Sequence, residues 1–329
     1  MRKPTRRTER GRGERVLPGV WRLRLPLPWA PVPHCNAWAL AAGDGIVLVD
    51  CGMDTPGSLR DLERALDQVG LELADVRLLA CTHAPIDHCG QAAAVQEHSG
   101  CELWMHPRRE HLTATLDDPD AAMARRIEIA RQSGVPEAPL QRWAANRREQ
   151  GTGLAGPLDV ARDLLPGVVL ETDVGTWQVY ETPGHAPSHV VLHQPESRLL
   201  ISGDHVLGRI SLYFDHGWTP DPVGEFLSSL DLVDGLDVRL TLSGHGRPFT
   251  DLHGHVEGNR ALVRARLEAI QDALQEATAF ELLPAVYGEK LTPETAAWLL
   301  TKMLCYLEHL EATGRVRRSG ADPVRWSPA

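Results

Sequence analysis

Leu78-Leu79-Ala80-Cys81-Thr82-His83-Ala84-Pro85-Ile86-Asp87-His88-Cys89-Gly90 is the stretch that decides the fold. A short apolar run of strand length ends in a Thr-His step, and an Asp-His pair follows on the same turn. The pattern predicts a buried strand, then a loop, then a helix from about Gly90 to His98. It also gathers two imidazoles and a carboxylate, a donor set that suits zinc, iron or manganese. One histidine beside an apolar run is commonplace in folded proteins. Here three further clusters are placed in the same way: Thr182-Pro183-Gly184-His185, Ser202-Gly203-Asp204-His205 and Leu242-Ser243-Gly244-His245-Gly246. Each follows an apolar strand and sits beside Gly or Pro, where a loop leaves the edge of a sheet.

Working outward, Gly19 to Leu27 alternates like an edge or half-buried strand, and Pro26, Pro28, Pro31 and Pro33 then impose an extended loop. Ala37 to Ala42 and Gly45 to Asp50 read as a hairpin about Gly43-Asp44-Gly45, closing on the acid Asp50. Thr55-Pro56 opens a helix whose stripe is Leu59, Leu62, Ala65 and Leu66, with Gly70 as its stop. Strands are expected at Arg77 to Thr82 and Glu102 to His106. Others follow at Val168 to Glu171, Trp177 to Glu181, His189 to His193, Arg198 to Ser202 and Arg239 to Ser243, with a helix over Val223 to Val233. This alternation predicts an α/β sandwich. Residues 107–166 are charged, helical in pattern and broken by Gly151-Thr152-Gly153, and they read as a helical insertion beside the turn, a substrate wall or a decoration. From Gly258 come helices, one near Pro293 to Leu310, and then a basic hairpin over Arg315 to Trp326. The expected division is a disordered basic tail (1–15), a main domain (16–257) and a small C-terminal domain (258–329).

The net charge of −10 argues against a nucleic-acid grip spread over the whole surface. No apolar stretch approaches the roughly 18 residues that a membrane span needs. The Arg-rich start lacks the apolar core of a secretory signal. The six cysteines form no CxxC pair and fit buried thiols in a reducing cytoplasm.

With its four clusters in this order, the sequence resembles the metallo-β-lactamase fold superfamily. That family's H-x-H-x-D-H turn is followed by a Gly-His, an Asp at a strand end and a late Gly-His. The resemblance covers roughly Val16 to His255 and implies a four-layer αββα sandwich. The C-terminal segment looks like the winged-helix domain of the lactamase-β-2-like branch. Carried over residue by residue, the resemblance implies one metal held by His83 and His185 and a second by Asp87, His88 and His245. Asp204 would bridge the two, Asp87 would also act in catalysis, and Asp50 would support ligands from behind. The departure is Pro85, which stands where the family has its second His and offers no donor atom. The first site is therefore expected to be the weaker. His189 is a conceivable substitute but reads better as a supporting histidine on the strand face. Cys89 and His205 read as structural.

The implied chemistry is hydrolysis of an ester, thioester or lactone by hydroxide on one or two Zn²⁺, with iron or manganese as alternatives. The expected partner is a small acyl substrate, for which Trp143 of the insertion is a candidate contact. No G-x-S-x-G elbow or P-loop competes. Three alternatives stay open: an endoribonuclease using the Arg315, Arg317, Arg318 and Arg325 hairpin on nucleic acid, a mononuclear iron dioxygenase, and a non-catalytic member. A homodimer also stays open.

Overall fold

The structure is a computed structural model that describes residues 10–29, 32–148, 151–209, 212–292 and 295–329. The first sheet has seven strands in sequence order: β1 (Arg12–Leu17), β2 (Val20–Pro26), β3 (His34–Ala42), β4 (Gly45–Val49), β5 (Val76–Ala80), β6 (Glu102–Met105) and β7 (Val160–Asp163). Pairing is antiparallel from β1 to β4 and parallel from β4 to β7. Each parallel step needs a crossover. These are made by α1 (Ser58–Asp67), by α2 (Ile86–Cys89) with α3 (Ala92–Ser99), and by α4 (Glu110–Asp117), α5 (Pro119–Gln132) and α6 (Glu137–Arg148). The second sheet contains β8 (Val169–Thr172), β9 (Gly175–Glu181), β10 (Val190–Gln194), β11 (Leu199–Gly203) and β12 (Leu240–Ser243), with α7 (Pro222–Asp234) crossing between the last two.

Side-chain alternation along the strands creates the four layers. Leu48 and Leu79 face outward into a core shared with Leu62 and Leu66 of α1 and Val95 of α3. Their neighbours Val47, Val49 and Ala80 face inward and meet Val190, Leu192, Ile201 and Leu242 of the second sheet. Val191 and Leu200 point the other way, onto Phe226 and Leu230 of α7. The expected αββα sandwich is the fold observed.

The chain ends in α8 (Leu252–Ala273), α9 (Ala279–Tyr287), α10 (Ala296–Ala312) and the hairpin β13 (Val316–Ser319) and β14 (Arg325–Pro328). Their apolar residues, among them Val263, Leu283, Met303 and Trp326, belong to the same buried cluster as Phe226 and Val191.

Four expectations need correction. Residues 12–15 of the expected tail are strand β1, which caps the β2 edge; 1–9 lie outside the described residues. Gly11 and Gly13 let β1 pass over α1, where a Cβ on either would strike the carbonyl oxygen of Asp61 or Ala65. The Gly19 to Leu27 strand is therefore internal. The insertion is helical only to Arg148, and β7 returns it to the sheet before residue 166. The Asp87-His88 segment, read as loop, is the one-turn helix α2. Between α8 and α10 lies α9, started by a Thr278/Glu281 capping box. The helix start expected at Pro293 lies outside the described residues.

Candidate metal centre

Four strand ends and the α2 turn deliver their side chains to one rim. His83 follows β5, Asp87 and His88 lie on α2, His185 follows β9, Asp204 follows β11, and His245 follows β12. Donor atoms of His83, His185 and Asp204 lie within 4.8 Å of one another, as do those of Asp87, His88 and His245. The halves touch at Asp204: its Oδ1 is 3.4 Å from His88 Nε2, and its Oδ2 is 3.0 Å from His245 Nε2 and 4.0 Å from His185 Nε2. His245 Nε2 also lies 3.3 Å from Asp87 Oδ2.

Each imidazole is oriented through its far nitrogen. Nδ1 of His83 pairs with Thr82 Oγ1 at 2.8 Å, that of His88 with Asp50 Oδ2 at 2.9 Å, that of His185 with the Tyr213 carbonyl at 3.1 Å, and that of His245 with the His34 carbonyl at 2.8 Å. Every Nε2 is thereby aimed at the rim. Asp50 also accepts from the Thr82 N–H at 2.8 Å and from its hydroxyl. One buried carboxylate in left-handed backbone (φ 61°) thus serves both motif histidines. Asn36 of β3 anchors the His245 loop through the Ser243 and Gly246 carbonyls.

The donor set passes a simple test of fit for a divalent cation. His83 Nε2, His88 Nε2 and Asp204 Oδ1 are buried without any hydrogen-bond partner, a costly state for polar atoms unless something binds them. Electrostatics divides the cluster. Burial holds His83 well below the usual imidazole range, and His185 is also lowered. Burial opposes charge on His88 and His245 too, but the carboxylates around them prevail. Asp204, Asp87 and Asp50 raise His88 well above normal, and Asp204 and Asp87 lift His245 to about 10. Burial pushes the two acids up, but His88 and His245 overcome it, lowering Asp87 and holding Asp204 well below the carboxylate range.

The remaining expected residues fall outside this ring of donors. His189 is tied at both nitrogens, to Thr182 Oγ1 at 2.8 Å and to the Asp204 N–H at 3.1 Å, so it supports the bridge position and has no lone pair for a metal. His205 lies behind His189 with its ring edge-on to Phe226, and burial drops its pKa to about 3. Cys89 Sγ caps the Ala84 and Pro85 carbonyls, and all six cysteines are free and buried. Trp143 is half-buried on α6 and makes no hydrogen bond or ring contact with the cluster among the described residues. Pro85 begins α2, and its carbonyl accepts from the His88 and Cys89 N–H groups.

Sequence reasoning missed Thr82, whose hydroxyl was concealed in the motif, and also His111, Ser188, Tyr213 and Asp215. His111 Nε2 meets Ser188 Oγ at 2.9 Å, and its Nδ1 meets Asp215 Oδ2 at 2.9 Å. A cleft of about 670 Å³ lies beside the turn, lined by residues 54–60 and 151–154. Gly153 in its wall packs against Ile86, the residue before Asp87.

A family model described as the metallo-beta-lactamase superfamily matches residues 30–245. The chain is 27% identical over 286 residues to a probable metallo-hydrolase, YqjP, of Bacillus subtilis, covering 82% of this chain and 86% of that one. It is 28% identical over 116 residues, 35% of each chain, to an atrochrysone carboxyl ACP thioesterase of Aspergillus chevalieri. Among solved structures, a metallo-beta-lactamase family protein of Thermus thermophilus superposes with a TM-score of 0.82 at 26% identity, covering 96% of this chain and all of the other.

Proposed function

The chain belongs to the metallo-beta-lactamase superfamily, and on that premise we propose that it is a metal-dependent hydrolase of ester, thioester or lactone carbonyls. The observation that carries the reading is the set of buried, unpartnered His83 Nε2, His88 Nε2 and Asp204 Oδ1, which belong to two donor groups whose ligand atoms lie within 4.8 Å of one another in each. The assignment is Zn²⁺ at His83, His185 and Asp204, and a second, tighter site at Asp87, His88, His245 and Asp204. When bound, the cations supply Lewis acidity toward the carbonyl and make hydroxide available near neutral pH.

The protein's own residues do the rest. Asp50 fixes the tautomers of both motif histidines, directly at His88 and through Thr82 at His83. Asp87, largely buried, is the carboxylate assigned to take a proton from the attacking water. Tyr213 stands with its ring 5.7 Å from that of His185. The cleft beside Ile86 is the proposed wall for that group. The likeness to a thioesterase over part of the chain favours an acyl substrate.

The C-terminal helices and hairpin are read as a winged-helix-like unit, and nucleic acid is not the favoured partner. Arg318 pairs with Glu311, and Arg325 lies within ion-pair distance of Glu276 and Glu281, so two of the four hairpin arginines are already engaged by acids. No helix among the described residues is long and apolar enough to cross a membrane, and a cytoplasmic setting is proposed.

The test is hydrolysis of an aryl ester and an acyl thioester by the purified chain with added Zn²⁺. Activity is expected to vanish on chelation and in His88→Ala; activity that survives both overturns the metal-dependent reading.

A further inference from the structure

His83 and His185 are joined by more than the cation proposed between them. Ala84, next to His83, donates its N–H to Ser188 Oγ at 3.0 Å. Ser188 Oγ meets His111 Nε2 at 2.9 Å, and His111 Nδ1 meets Asp215 Oδ2 at 2.9 Å. The Asp215 N–H returns to the His185 carbonyl at 3.1 Å. Ser188, three residues after His185, thus holds the His83 loop directly, and His111, carried on α4 of the helical insertion, ties Ser188 to the Asp215 that holds the His185 carbonyl. The proton count is consistent along this path. Ser188 Oγ already accepts from Ala84, so its own hydrogen is free to donate to Nε2, and a neutral His111 with its proton on Nδ1 donates to Asp215. Every member is satisfied, and Ser188 and the His111 side chain are buried. The chain threads past Ala84-Pro85, the point at which the turn offers no second imidazole.

We propose that His111 is a positioning residue for the first cation site: the Ser188–His111–Asp215 chain sets the spacing of His83 and His185, whose rings stand 5.0 Å apart, where Pro85 has removed a ligand. The inference rests on the metal-centre reading above. With only His83, His185 and Asp204 to share the cation, the first site depends on how firmly two imidazoles are held. A fully hydrogen-bonded buried network supplies that rigidity. Supporting partners of metal ligands typically change affinity by about 10–100-fold when removed. The insertion, on this account, is what makes a three-donor site workable.

The test is Co²⁺ titration of the chelated full-length chain, followed by visible absorption and calorimetry, with His185→Ala identifying the first-site signal. Wild type is expected to show two binding events. In His111→Ala the weaker event should lose about 10–100-fold in affinity and change its absorption band, while the tighter one stays near its original value. Ser188→Ala and Asp215→Ala should do the same. Asp215→Asn, which keeps an acceptor for the Nδ1 proton, should restore most of the affinity, and these variants carry the test if His111→Ala does not fold. Unchanged binding in His111→Ala overturns the inference, as does equal weakening of both events. A single event in wild type also overturns it while leaving the hydrolase reading standing. Absence of any Co²⁺ binding by wild type removes the metal-centre reading itself.

Discussion

Asp50 Oδ2 lies 2.9 Å from His88 Nδ1, with both side chains essentially inaccessible to solvent. The same carboxylate takes the Thr82 N–H and hydroxyl, so the tautomers of His83 and His88 have one common determinant. Asp50→Asn should separate metal binding from folding. The amide can still accept from Thr82, but its NH₂ would face His88 Nδ1 and push the imidazole proton to Nε2, the atom aimed at the rim. Affinity for Zn²⁺ should fall about 10–100-fold, measured by competition with a chromophoric chelator. Asp50→Ala, which strands several buried donors, should cost roughly 3–5 kcal/mol of stability as well.

The raised pKa values of His88 and His245 predict a pH dependence with a definite sign. In chelated protein the surrounding carboxylates favour the protonated form of both imidazoles, and a metal takes only the neutral form. Apparent affinity should therefore rise with pH, and calorimetry in buffers of different ionisation enthalpy should show net proton release. Stability runs the other way. A group raised from 6.5 to about 10, as His245 is, contributes fully below pH 6.5, and that contribution is lost as pH rises through about 10. Asp87 and Asp204 are lowered, so their contribution is present above the ordinary carboxylate value and lost on acidification. Melts of chelated protein should show a fall in Tm toward pH 10 that saturating Zn²⁺ abolishes.

Gly244 sits where the strand-end loops crowd together. A Cβ there would run into Asp204 Oδ1 and stand 2.8 Å from His88 Cε1. Gly244→Ala should cost about 1–3 kcal/mol by overpacking and should displace the proposed bridging carboxylate. Denaturant titration and metal content after dialysis check both parts.

Pro85→His restores a donor at the vacant motif position. The proline's carbonyl bonds to His88 and Cys89 do not depend on its ring. The variant should therefore keep the fold and bind the cation of the first site more tightly, raising the metal content of protein purified without added metal toward two per chain. Wild-type protein that already holds two ions tightly would refute the idea that Pro85 weakens the first site. Iron with oxygen uptake would instead favour the dioxygenase alternative.

The rim was readable because each cluster of donors follows an apolar strand and sits beside glycine or proline, a local pattern that survives without knowledge of the fold. His111 had no such mark. It lies in a short helix among charged residues, and its partners are 77 and 104 positions away, so only packing reveals it. Strand β1 was hidden for a related reason: Arg12, Glu14 and Arg15 read as solvated tail, and the strand exists through backbone pairing with β2 and the glycines that let it cross α1. The α2 turn, at four residues, is too short to display helical periodicity. The alternation of strands and helices, by contrast, announced an α/β sandwich directly, and the family resemblance implied its four layers.

The buried cluster that runs without a break from Val191 and Phe226 into Leu283, Met303 and Trp326 has a practical consequence. A product trimmed after residue 257 would present the outer side of α7 to water as a broad oily face, and such a fragment should be recovered from inclusion bodies. The sandwich and its C-terminal helices should then be obligate companions, melting together in a single calorimetric transition.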